Sequence, residues 1–282
     1  MIRAVTHCAL LLALAASPLA AQQLAADLNE SVTKIPAAGV EMVVTTFKPD
    51  GDGPFPLVII SHGRAAAAVD RAKVPRQRYT DAARYFVQRG FAVVVPTRKG
   101  YGETGGSDPE HMGACVNPAF ARSFDGALES IMPALEWAKS LPYVDSKRIL
   151  AVGTSMGGIS TLALAARNPQ GLIAAVNFAG GLGGDPGSRP GQPCAPDKLA
   201  QSYVAFGKAG RVPTLWLYSE NDQYWGAELP KQWHKAYLEA GGKAEFQGLP
   251  PYGRDGHVVF SQAVSLWGPY VDAFLRENGL LP

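Results

Sequence analysis

Stretches in which nearly every residue is apolar alternate along this chain with stretches whose apolar residues recur every three or four positions. The first kind reads as strands buried on both faces, the second as helices with one buried stripe. Residues 40–47 and the run Leu57, Val58, Ile59, Ile60 predict two strands, separated by the turn-rich segment 49–56. Residues 79–89 have helical spacing and stop at Gly90, after which 91–95 form another apolar run closed by Pro96. A long amphipathic helix follows over 120–141, then a strand over 148–152 and a helix over 156–167. Strands at 172–178, 214–218 and 244–249, with helices near 197–206, 228–240 and 261–277, continue the alternation. This order predicts an α/β fold: a doubly wound, mostly parallel sheet with helices on both faces and no large cap domain. Two long connections rich in Gly and Pro, 100–119 and 180–196, follow strands. They belong at the carboxyl edge of the sheet, where open α/β sheets bind ligands.

Composition narrows the picture. A chain of 282 residues with 47% hydrophobic and 18% charged positions matches an ordinary globular protein, and one α/β domain over 22–282 accommodates it. Lys and Arg number 26 against 24 Asp and Glu, with no basic run, so no nucleic-acid partner is expected. Residues 1–21 carry Arg3, an apolar stretch over 9–16, then Ser17, Pro18 and small residues to Ala21, which is the pattern of a secretory signal peptide. The apolar stretch is too short to span a bilayer, so the mature chain is expected to lack a membrane anchor and to be secreted or periplasmic. Cleavage removes Cys8 and leaves Cys115 and Cys194, for which an oxidising compartment predicts a disulfide between the two long connections. No other Cys or His stands at metal-ligand spacing, so neither a metal nor a cofactor is expected.

The chemistry is carried by Gly153-Thr154-Ser155-Met156-Gly157-Gly158, which lies between a predicted strand and a predicted helix. In that context G-x-S-x-G is a sharp turn that exposes a serine hydroxyl, and the helix N-terminus favours negative charge on its oxygen. A serine needs a base, and His257 lies on a loop between the last predicted strand and the final helix. His111 and His234 read as surface residues. An acid must hold the imidazole, and Asp222, in Ser219-Glu220-Asn221-Asp222 after the strand 214–218, is the candidate. Glu220 is its competitor, whereas Asp255 reads as a turn residue. The backbone N–H groups of Arg64 and Met156 are the candidate oxyanion donors, with His62 bonded inside the Ser61-His62-Gly63-Arg64 loop. Tyr101, Tyr224 and Trp225 are candidate walls of an open site.

These segments, together with 98–102, 144–149 and Gly256-His257, resemble the α/β-hydrolase superfamily, and within it dienelactone-hydrolase-related secreted serine hydrolases. The resemblance spans nearly the whole mature chain. It implies hydrolysis of a small-molecule or polymer ester through an acyl-enzyme on Ser155. Dienelactone hydrolases proper carry cysteine where this chain has Ser155, which favours ordinary carboxylic esters. Polyester hydrolases and cutinases share the Ser-Met-Gly-Gly elbow and remain an alternative. Acylaminoacyl and dipeptidyl peptidases share the motifs too, but resemble this domain with a propeller in front, for which too few residues precede the sheet strands.

Overall fold

The computed structural model describes residues 22–65 and 67–282, so the expected signal peptide lies outside the described residues. Eight strands form one sheet: β1 Ser31–Ala37, β2 Val40–Phe47, β3 Phe55–Ser61, β4 Ala92–Pro96, β5 Val144–Thr154, β6 Leu172–Phe178, β7 Thr214–Ser219 and β8 Ala244–Leu249. Their spatial order is β1-β2-β4-β3-β5-β6-β7-β8. Only β2 runs against its neighbours; the pairs from β4 through β8 are all parallel.

The continuous apolar runs have their reason here. Along β3, Leu57 and Ile59 join one core cluster while Val58 and Ile60 join the other. A strand with helices on both sides has no solvent face, so alternation with polar residues disappears. The first cluster is covered by α3 Phe120–Lys139, α4 Met156–Ala165, α5 Pro196–Ala209 and α6 Leu229–Glu239. The second is covered by α2 Thr80–Val87, α7 Val259–Gln262 and α8 Val264–Glu277, with Trp267 fully buried among Tyr85, Phe86, Phe178 and Phe260.

Three differences from the sequence reading stand out. Strand β1 is not expected from the sequence, because its residues alternate and include Pro36, which a strand tolerates at a sheet edge. A short helix, α1 Ala68–Lys73, sits in the connection after β3. The strand expected over 148–152 begins earlier, at Val144, where it pairs with Phe55. The two long connections do follow strands β4 and β6, and a disulfide joins Cys115 in one to Cys194 in the other. No helix among the described residues is long and apolar enough to cross a membrane.

Candidate active site

Ser155 is the single residue between β5 and α4, with φ 56° and ψ −125°, a region that non-glycine residues avoid. The surroundings enforce the turn. Its N–H donates to the Phe178 carbonyl at 2.9 Å, and its carbonyl accepts from Ile159 and Gly181, both at 3.2 Å. Neither flank has room for a side chain: a Cβ on Gly153 would lie 2.2 Å from the Gly157 carbonyl oxygen, and one on Gly157 2.0 Å from that of Ser61. A strain of about 1–3 kcal/mol is thereby fixed by close packing. Met156 is the first residue of α4, and an N–H in that turn has no acceptor within its own helix.

Asp222 and His257 meet at the carboxyl ends of β7 and β8. His257 Nδ1 and Asp222 Oδ2 are 2.9 Å apart. The carboxylate is fully buried, and its other oxygen accepts from the N–H groups of Tyr224 at 2.8 Å and Trp225 at 3.2 Å. Asp255 ties the two loops together by accepting from the His257 N–H at 2.9 Å and the Gln223 N–H at 3.0 Å. Glu220, the competing acid, is exposed. Tyr224 stacks on the His257 ring with centroids 3.9 Å apart and planes 22° apart, and Trp225 meets the same ring edge-on at 5.7 Å. With Nδ1 committed to Asp222, Nε2 is the nitrogen available for proton exchange. Ser155 and His257 line one cavity of about 400 Å³; Ser155 and Met156 line a second of about 610 Å³.

The loop after β3 is set by a buried ionic network that sequence reasoning missed. Arg98 and Glu110 are both fully buried and paired, and Tyr101 donates its hydroxyl to Glu110 at 2.7 Å. Arg98 also donates to the His62 carbonyl at 2.7 Å. Its backbone N–H donates to His62 Nε2 at 3.0 Å, so Nδ1 carries the proton and donates to the Gly63 carbonyl at 2.7 Å. Burial first, and the Arg98 charge second, hold the His62 imidazole well below its ordinary pKa and therefore neutral. The Arg64 guanidinium forks onto Asp108 at 2.8 and 2.6 Å, and Arg71 reaches the same carboxylate at 3.0 Å. Burial pushes the Asp108 carboxyl up, but the Arg64 bonds and the Arg64 and Arg71 charges outweigh it and leave it below the usual range. Tyr79 places its hydroxyl 3.4 Å from the Gly63 N–H, and burial raises it to about 12, so it stays neutral. Gly63 packs against the serine: a Cβ there would touch Ser155 Cβ at 3.3 Å.

The remaining side chains named from the sequence differ in exposure. Tyr101 is 1% exposed and edge-on to His62, and it borders the smaller cavity with Ser155 and His257. Trp225 is 2% exposed, with its indole N–H on the Ala179 carbonyl at 2.7 Å, and it borders the larger cavity together with Tyr224. The expectation that His234 lies on the surface is corrected, since it is half-buried between Trp216 and Phe246, whereas His111 is exposed as expected and lines the larger cavity.

The model of the dienelactone hydrolase family matches residues 44–252. Est1E from Butyrivibrio proteoclasticus with ferulic acid bound superposes with TM-score 0.62 at 19% identity, over 87% of this chain and 98% of that one. An acylaminoacyl peptidase from Pyrococcus horikoshii gives TM-score 0.63 at 13% identity, over 89% of this chain but 42% of its own. Among curated proteins, the quorum-quenching protein AidA of Acinetobacter baumannii is 28% identical over 130 residues, which are 46% of this chain and 36% of that protein. The chain thus spans well under half the length of that relative.

Proposed function

This chain belongs to the dienelactone hydrolase family of α/β-hydrolases, and on that premise we propose that it is a serine esterase that cleaves carboxylic esters through an acyl-enzyme. The observation that carries the reading is the hydrogen-bonded Asp222–His257 pair at 2.9 Å, whose histidine shares a cavity with a serine held at positive φ. Ser155 Oγ attacks the ester carbonyl while His257 Nε2 takes its proton and Asp222 stabilises the imidazolium. The backbone N–H groups of Arg64 and Met156 bind the oxyanion. The ester C–O bond breaks as His257 returns the proton to the leaving oxygen, and water then repeats the sequence to release the acid. No cofactor enters these steps. The disulfide between Cys115 and Cys194 supports export to an oxidising compartment as a secreted or periplasmic enzyme.

Aromatic surroundings favour esters with an aryl group. Tyr224 and Trp225 border the larger cavity, and the ferulic acid bound by Est1E is an aromatic carboxylic acid of the kind such an ester would yield. Hydrolysis of p-nitrophenyl esters from acetate to palmitate by the mature protein, with Ser155→Ala in parallel, tests the proposal. Activity should fall by several orders of magnitude in the variant. Retained hydrolysis would sink the reading, and cleavage of an acylaminoacyl p-nitroanilide in preference to any ester would replace it with a peptidase.

A further inference from the structure

Ser155 stands where two cavities meet. It lines both, as do Arg64, Ala65 and Tyr224, but Met156 borders only the cavity of about 610 Å³ and His257 only that of about 400 Å³. From this division we infer that the smaller cavity takes the leaving alcohol and the larger one takes the acyl group. The inference rests on the esterase reading above and adds the polarity of substrate binding to it.

The chemistry of the second half-step fixes the direction. When the tetrahedral intermediate collapses, the C–O bond to the alcohol breaks and the electron pair goes to that oxygen. The proton it requires comes from His257, so the leaving oxygen must lie within hydrogen-bond reach of that ring. The alcohol therefore extends along the His257 side, past Val74, Pro75, Tyr79 and Val258. The carbonyl carbon stays bonded to Ser155, with its oxygen toward the Met156 N–H, and the rest of the acyl group runs into the other cavity.

That second cavity has a mixed lining. Gly181 is bonded to the Ser155 carbonyl and leads into Leu182, and Leu182, Trp225 and Met112 give the cavity apolar surface. Farther along the same loop come Asp185 and Arg189, whose backbones pair with each other. The Arg189 guanidinium lies 2.8 Å from Cys115 Sγ and 3.3 Å from Cys194 Sγ, so the disulfide and this arginine brace one wall. The acyl group that fits is the bulkier half of the ester, with both apolar and hydrogen-bonding surface to meet; the alcohol is the smaller half.

Two ratios of kcat/KM read the assignment: p-nitrophenyl octanoate over acetate for the acyl side, and 2-naphthyl over phenyl acetate for the alcohol side. Met112→Trp should lower the acyl ratio about tenfold relative to the parent and move the alcohol ratio less than about twofold, while Val74→Trp should do the reverse. Each variant reports on its own folding through the ratio it preserves. Val74→Trp selecting among acyl groups would reverse the assignment, and both variants shifting both ratios alike would refute the division. A parent protein that cleaves no ester would instead bring down the esterase reading, and the assignment with it.

Discussion

Replacing Glu110 with alanine perturbs the structure at its most exposed energetic weakness, because the side chain it deserts has nowhere else to go. Arg98 and Glu110 are both wholly removed from solvent. Glu110 accepts from Arg98 Nη2 at 3.2 Å and from Tyr101 at 2.7 Å, and Arg64 approaches it at 3.6 Å. Removing one partner of a buried pair costs about 3–5 kcal/mol, chiefly because the surviving charge is left without compensation. At about 2–4 °C per kcal/mol for a domain of this size, the midpoint of thermal unfolding should fall by roughly 6–20 °C. Arg98 also holds the His62 carbonyl and, through His62, the Gly63 carbonyl, so the loop carrying the Arg64 N–H loosens and ester hydrolysis should drop as well. Urea denaturation followed by circular dichroism measures the free energy, and p-nitrophenyl acetate turnover the activity. The double variant Arg98→Met with Glu110→Leu removes both charges and should lose less stability than Glu110→Ala alone. A Glu110→Ala protein within about 1 kcal/mol of the parent would refute the reasoning, since a pair buried this completely cannot be worth so little when halved.

Other outcomes follow from the same geometry. Asp222→Asn removes the charge that orients His257, and kcat should fall by about 10⁴-fold with the urea midpoint little changed, a combination that steady-state kinetics and denaturation together check. The disulfide closes a sequence separation of 79 residues, worth about 4.5 kcal/mol on a chain-entropy basis, so Cys115→Ser with Cys194→Ser should lower the urea midpoint markedly; an unchanged midpoint contradicts this. Burial holds His62 well below the ordinary imidazole pKa of 6.5, so the unfolded chain takes up a proton that the folded one refuses. That contribution is complete above pH 6.5 and is lost as pH falls through it, by up to about 1.4 kcal/mol per pH unit, with His234 adding a smaller share; a flat urea midpoint between pH 6.5 and 5 would contradict it.

What the sequence discloses depends on how local each signal is. The doubly wound sheet was legible because both of its faces are covered, so strands such as Val58 to Ile60 appear as unbroken apolar runs. Ser155, Asp222 and His257 were legible as candidates because each lies just past the end of a strand in this fold, where loops converge. Partners brought together by long connections were not. Arg98 and Glu110 are 12 residues apart across a loop broken only by the short 3-10 helix Gly102–Thr104, and nothing in their spacing announces that both are buried. Tyr101 borders the smaller cavity, as its place on a loop near the site suggests, but nothing local to it shows its hydroxyl on Glu110. His234 lies on a helix with a mixed face, and only the tertiary fold sets it between Trp216 and Phe246. Edge strand β1 carries Pro36 and an alternating pattern, a weak signal beside the apolar runs at the centre.

If the proposed mechanism holds, Ser155 becomes acylated during turnover. Rapid mixing of the mature protein with p-nitrophenyl acetate, acid quenching within the burst, and peptide mass mapping test it directly. An acetyl increment is expected on the peptide carrying Ser155, abolished in Ser155→Ala and accumulating in His257→Ala only with great delay. An acetyl group found on another residue, or turnover with none on Ser155 at any time, would contradict it.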